Sequence, residues 1–134
     1  MPSPTELGLA LLRGCNYRVC RTEHWNAFAK VRHDLYGIAD AVAVRSDVVG
    51  FLLVQFTSST NHAARINKIF GIPETATILR GQSRIQIWSW GKRRRGTSLW
   101  YSRGEVLAFE IDLPEDDLTP VERGTLMRPK NWRL

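Results

Sequence analysis

The stretch that most constrains the fold is residues 48–56, Val-Val-Gly-Phe-Leu-Leu-Val-Gln-Phe, the most apolar segment of the chain. A strand with one face in water alternates polar and apolar residues. This one scarcely alternates, so it predicts burial on both faces, at the centre of an α/β sheet. The segments around it can cover those faces. Residues 5–13 put Leu7, Ala10 and Leu11 on one side of a helix that stops at Gly14. Residues 61–70 put Ala63, Ile66, Ile69 and Phe70 on one side of a second helix, ended by Gly71, and Pro73 starts a third that runs to Leu79. Strands are predicted over 17–22, 38–44, 84–90, 99–102 and 106–111, with 91–96 a basic turn and 23–36 a helical turn or ordered loop. Within 38–44, Ala39, Ala41 and Ala43 share one face, small enough for a helix to pack closely there. With no repeat, linker or low-complexity segment, residues 1–134 read as a single domain, and 114–134 as its surface loop and tail.

A chain of 134 residues has room for one core, and 43% hydrophobic with 24% charged residues is the balance of a globular domain. The longest apolar run, residues 48–54, falls far short of the roughly 20 residues a membrane span needs. Met1 to Glu6 lack the basic and apolar segments of a secretory signal, so the expectation is a cytoplasmic protein with no membrane partner. Cys15 and Cys20 are too few for a disulfide framework or a cysteine-built zinc site. Charge points to an anionic partner. The chain carries 19 Lys and Arg against 13 Asp and Glu, a net charge of +6. Residues 58–103 hold nine basic side chains and one acid, whereas residues 104–122 hold seven acids and no base. DNA is the expected partner, with a homodimer left open as the assembly. Lys92, Arg93, Arg94 and Arg95 are the predicted phosphate contacts. Trp88, Trp90, Trp100 and Tyr101 flank them, with at least one of Trp88 and Trp90 in the core and exposed rings able to stack on bases.

Polar residues inside apolar strands carry the chemical signal. Asp40 stands at the start of one predicted strand, and Gln55 and Thr57 stand two apart, hence on one face, at the end of the next. A buried Asp40 needs a partner. Arg32 and Arg45 are the nearest candidates in sequence, and a divalent metal with oxygen ligands is another. Gln55 reads equally as a hydrogen-bonded core glutamine, and Thr57 to Thr60 as strand-end and capping chemistry. His24, His33 and His62 are scattered singly, without metal-ligand spacing; His33 is notable only for adjoining Asp34.

Taken together, Leu11-Leu12-Arg13-Gly14, Tyr17-Arg18-Val19, Asp40-Ala-Val-Ala-Val and Leu53-Val54-Gln55-Phe56-Thr57 form a pattern that resembles the PD-(D/E)XK nuclease superfamily, in particular its small Holliday-junction-resolvase-like members. The likeness spans residues 5–90. It implies a restriction-endonuclease-like mixed sheet flanked by helices, and hydrolysis of DNA phosphodiester bonds with Mg²⁺, or Mn²⁺ in its place. Asp40 matches the family's metal-binding Asp, Gln55 falls on the position usually held by Glu, and Thr57 falls on the Lys position. Lys68, or Arg65 one turn earlier, is the implied replacement for that Lys, and Glu6, an acid on the first helix, is implied as a further metal ligand; Asp34, six residues before Asp40, is a second one if residues 35–37 fold back. The departures at Gln55 and Thr57 leave open a nucleic-acid-binding module on the same fold that has lost catalysis, and the basic face leaves open a protein-interaction domain with an acidic partner.

Overall fold

The computed structural model describes residues 2–112 and 132–133. Helix α1 (Pro4–Gly14) is followed by β1 (Arg18–Arg21), β2 (His24–Asn26), β3 (Val31–His33), β4 (Ala41–Val44) and β5 (Leu52–Ser58). A 3-10 turn, Ser59–Asn61, leads into α2 (His62–Phe70) and α3 (Glu74–Arg80), and then come β6 (Arg84–Arg95), β7 (Ser98–Ile111) and β8 (Trp132–Arg133). The sheet runs in the order β1-β4-β5-β6-β7-β8, and β2 and β3 form a separate hairpin. Every pairing in the sheet is antiparallel except β5 with β6. Parallel neighbours need a long crossover, and α2 with α3 supplies it. The result is an α/β domain with a mixed sheet between helices, compatible with the restriction-endonuclease-like arrangement. No described helix is long and apolar enough to cross a membrane.

All seven residues of β5 are buried, which is the two-sided burial its composition calls for. One face meets α1: Leu7, Leu9 and Leu12 pack with Ala41, Ala43, Val54, Phe56, Trp88 and Trp90. The other meets the crossover helices through Leu53, Ile66, Ile69, Ile85 and Ile87. Both Trp88 and Trp90 are therefore core residues. Close packing of α1 depends on small residues on each side, the alanines of β4 and Gly8 of the helix, where a Cβ would overlap the Phe56 ring. At its start, α1 carries a complete capping box: the Ser3 hydroxyl accepts from the Glu6 N–H at 3.2 Å, and the Ser3 N–H donates to Glu6 Oε2 at 2.7 Å.

Several boundaries differ from the sequence expectations, each for a local reason. The central strand starts at Leu52 rather than Val48, because Gly50 turns the chain at φ +76° against the Gln82 carbonyl, where any Cβ would collide. The fourth strand begins at Ala41 rather than Ile38, because residues 35–39 fold back on themselves first. There the Ile38 N–H bonds the Leu35 carbonyl at 2.8 Å, with Tyr36 and Gly37 both at positive φ, the signature of a tight hairpin turn. Residues 23–36 are neither helix nor loop but mainly the β2–β3 hairpin, whose bend is held by Asn26 Oδ1 accepting from the Phe28 and Ala29 N–H groups. Residues 91–96 are not a turn either. β6 continues through them to Arg95, and the two strands expected over 99–102 and 106–111 are one. Most of 114–134, expected as loop and tail, lies outside the described residues; its Trp132 and Arg133 pair with Ala108 and Leu107 of β7.

Candidate functional site

Asp40 occupies the residue before β4, and its own N–H is already bonded to the Val54 carbonyl at 2.9 Å. That bond docks Asp40 against β5 at the point where Gln55 turns toward the crossover helices. Gln55 Nε2 donates to Asp40 Oδ2 at 2.7 Å, and the Phe56 N–H donates to the same oxygen at 2.9 Å. Both side chains are nearly sealed from water, each 4% exposed. The other amide atom, Gln55 Oε1, is buried with no hydrogen-bond partner among the described residues. The two residues singled out from separate strands thus meet in one buried pair.

Burial pushes the Asp40 carboxyl up to about 6 from its ordinary 3.8, and the negative charges of Glu23 and Asp34 add to the rise; the Phe56 N–H and the charge of Arg65 pull the other way. Neither arginine expected beside Asp40 is available to it. Arg32 pairs with Glu23. Arg45 pairs with Asp47, donates to the Cys15 carbonyl and lies over the Tyr17 ring. Asp40 therefore has no arginine paired with it, and burial remains the main cause of its raised pKa.

Glu23 has no sequence signal of its own. It comes to the site because β1 pairs with β4 so that Arg21 faces Ala41, which brings the Thr22 and Glu23 N–H groups onto the Asp40 carbonyl at 2.8 and 3.1 Å. Asp34 reaches the neighbourhood by the fold-back of residues 35–39 and acts on Asp40 through its charge. Glu6 does not join them. It sits at the α1 end of the opposite layer, where the bond from Ser3 holds its carboxyl below the usual range. Of the two cations offered in place of the Lys, Arg65 is the one whose charge Asp40 feels. Lys68 lies one turn on, its ammonium beside the Gly37 turn.

Thr57 is buried two residues beyond Gln55 and faces Ser89 across the parallel pair. On Ser89 rests His62, the first residue of α2, through a hydrogen bond between Nδ1 and the serine hydroxyl, with its ring stacked on Phe109 at 4.7 Å. His62 looked isolated in sequence and is instead built into the sheet face next to Thr57. Lys92 to Arg95 stand away from this cluster, on the projecting end of the β6–β7 ribbon.

Compared with models of known families, with curated proteins and with solved structures, the chain matches none. Its site must be read from its own chemistry. Among the described residues no three His, Cys, Asp or Glu side chains are grouped to hold a metal. The Asp40 carboxylate and Gln55 Oε1 are the oxygens of the buried pair itself. Both are hard oxygen donors, the type of ligand that Mg²⁺ takes.

Proposed function

We propose that the chain is a metal-dependent DNA endonuclease whose reaction centre is the Asp40–Gln55 pair. One observation carries the reading: a sealed carboxylate raised above its ordinary range lies beside an amide oxygen with no partner. The raised carboxylate and the unpartnered oxygen each cost folding free energy beyond what the bonds from Gln55 Nε2 and Phe56 N–H return, and costs of this kind are found at groups kept for a ligand. A cation bound there would supply the concentrated positive charge that polarises a phosphodiester and activates water. Asp40 would hold it with its carboxylate and Gln55 with Oε1. Arg65, on the same side, would offset charge growing on the phosphate, with Lys68 a turn behind. DNA would be drawn in by the basic ribbon, and a cytoplasmic site of action goes with this reading.

A second reading, binding without hydrolysis, is favoured by Thr57, which puts a neutral hydroxyl where the family pattern has a cation. Incubating the protein with linear, branched and single-stranded DNA, with and without Mg²⁺ or Mn²⁺, separates the two. The first reading expects metal-dependent nicks, fewer in Arg65→Ala than in Lys68→Ala, and more in Thr57→Lys. Salt-dependent binding with no cleavage of any substrate would establish the second, and no binding at all would leave an interaction domain with a basic face.

A further inference from the structure

The β6–β7 ribbon runs past the last core residue of β6, Trp90, in the cross-strand pairs Lys92–Tyr101, Arg93–Trp100, Arg94–Leu99 and Arg95–Ser98. Residues directly opposite in an antiparallel pair share a face, and faces alternate along each strand. Lys92, Arg94, Leu99 and Tyr101 therefore lie on one side, and Arg93, Arg95, Ser98 and Trp100 on the other. The first side is anchored to the domain: Tyr101 packs against the α1-facing core, and the Lys92 ammonium sits 4.9 Å from the centre of its ring. The second side is not. Trp100 belongs to neither core cluster and keeps 36% of its surface exposed. Arg93, opposite it, is held by Glu105. Arg94 and Arg95 form no ion pair among the described residues and are exposed.

We propose that the Trp100 face of this ribbon is a binding site for an unpaired nucleotide. The base stacks on the indole, and the phosphates on either side of it meet Arg95 and, around the ribbon edge, Arg94. Bases in a duplex already cover one another's faces, whereas an unpaired base has a face to offer. Cations alone would serve a duplex; a half-exposed indole set among guanidinium groups adds what only a single strand or an extruded base can use. The proposal rests on the nucleic-acid reading above and specifies which strand form that surface selects.

The test is fluorescence anisotropy with a labelled single-stranded oligonucleotide and with the duplex of the same sequence, each titrated over a salt series. Trp100→Ala is expected to weaken single-strand binding about 5- to 150-fold, the worth of one stacked base, while duplex affinity moves by less than about twofold. Trp100→Phe should retain most of the single-strand affinity. Ser98→Glu, an exposed change that adds an anion to the same face, should weaken single-strand binding without touching the Trp100 side chain, and serves if the alanine variant folds poorly. Wild-type binding to both strand forms with no loss in either variant, or an equal loss on both forms, would overturn the inference while leaving nucleic-acid binding in place. Wild-type binding to neither form would overturn both, and point the ribbon toward an acidic protein.

Discussion

A carboxylate that accepts two hydrogen bonds on one oxygen ordinarily titrates below free aspartate; Asp40 titrates above it, because desolvation and two neighbouring acids outweigh the Phe56 N–H and Arg65. The sign of the consequence follows from which state binds the proton more tightly. The folded chain does, so Asp40's contribution to stability is fully present below pH 3.8 and is lost as pH rises through about 6. The rise corresponds to about 3 kcal/mol between the two limits. Asp40→Asn removes the charge and keeps the shape, and rotation of Gln55 lets Oε1 accept from the new amide. In metal-free buffer the variant should be more stable than wild type above pH 6, by at most about 3 kcal/mol, and the two should converge in acid. Urea unfolding at a series of pH values checks this; parallel curves for the two proteins would mean that Asp40 is not a strained charge. Asp40 and Gln55 were legible in the sequence because a polar residue stands out in an apolar strand. Glu23 and His62 were not, since both reach the site through pairing register and helix placement, which leave no local trace.

At the scale of elements, the meeting of α1 with the sheet is a close approach with no slack. Phe56, which fills the space over Gly8, is itself wedged between Trp88 and Trp90, with ring centres at 5.9 and 6.0 Å. Gly8→Ala should therefore destabilise the fold by about 1–3 kcal/mol through overpacking, more than the gain of up to about 1 kcal/mol that alanine brings to a helix. Chemical denaturation gives the answer directly, and a stabilised variant would show that the ring can yield. Ala41 and Ala43 announced this packing from sequence, but Ala39, expected on the same face, lies in the fold-back of residues 35–39 and packs in the opposite cluster, and the two ribbons were hidden. Trp25, Phe28 and Val31 are spaced by three, as on a helix, yet all are exposed on a hairpin fixed by Asn26. Gly91 punctuates β6 like a turn, but the strand passes through it with a register shift against β7. That continuation sorts the four cations into unequal pairs. Arg94→Gln with Arg95→Gln should lower the salt slope of duplex binding by up to about 2, and Lys92→Gln with Arg93→Gln by less, because those two side chains already have partners. Equal slopes for the two double variants would contradict the assignment.

At the scale of the whole molecule, the α/β frame brings the buried Asp40 carboxylate and the Gln55 amide together, while the basic end of the β6–β7 ribbon projects away from them. The frame was readable in part: an apolar central strand with helices on both sides is dictated by patterning, whereas the parallel pairing of β5 with β6 comes from the structure. What the pair does depends on whether it takes a cation, and that can be measured without choosing a substrate. Calorimetric titration of Mn²⁺ into the metal-free protein, above pH 6 where Asp40 is charged, is the most direct test. The account predicts one site in the wild type, lost in Asp40→Asn, weakened in Gln55→Leu and retained in Glu6→Gln. Mn²⁺ binding that is absent from the wild type, or unchanged by Asp40→Asn, would contradict it.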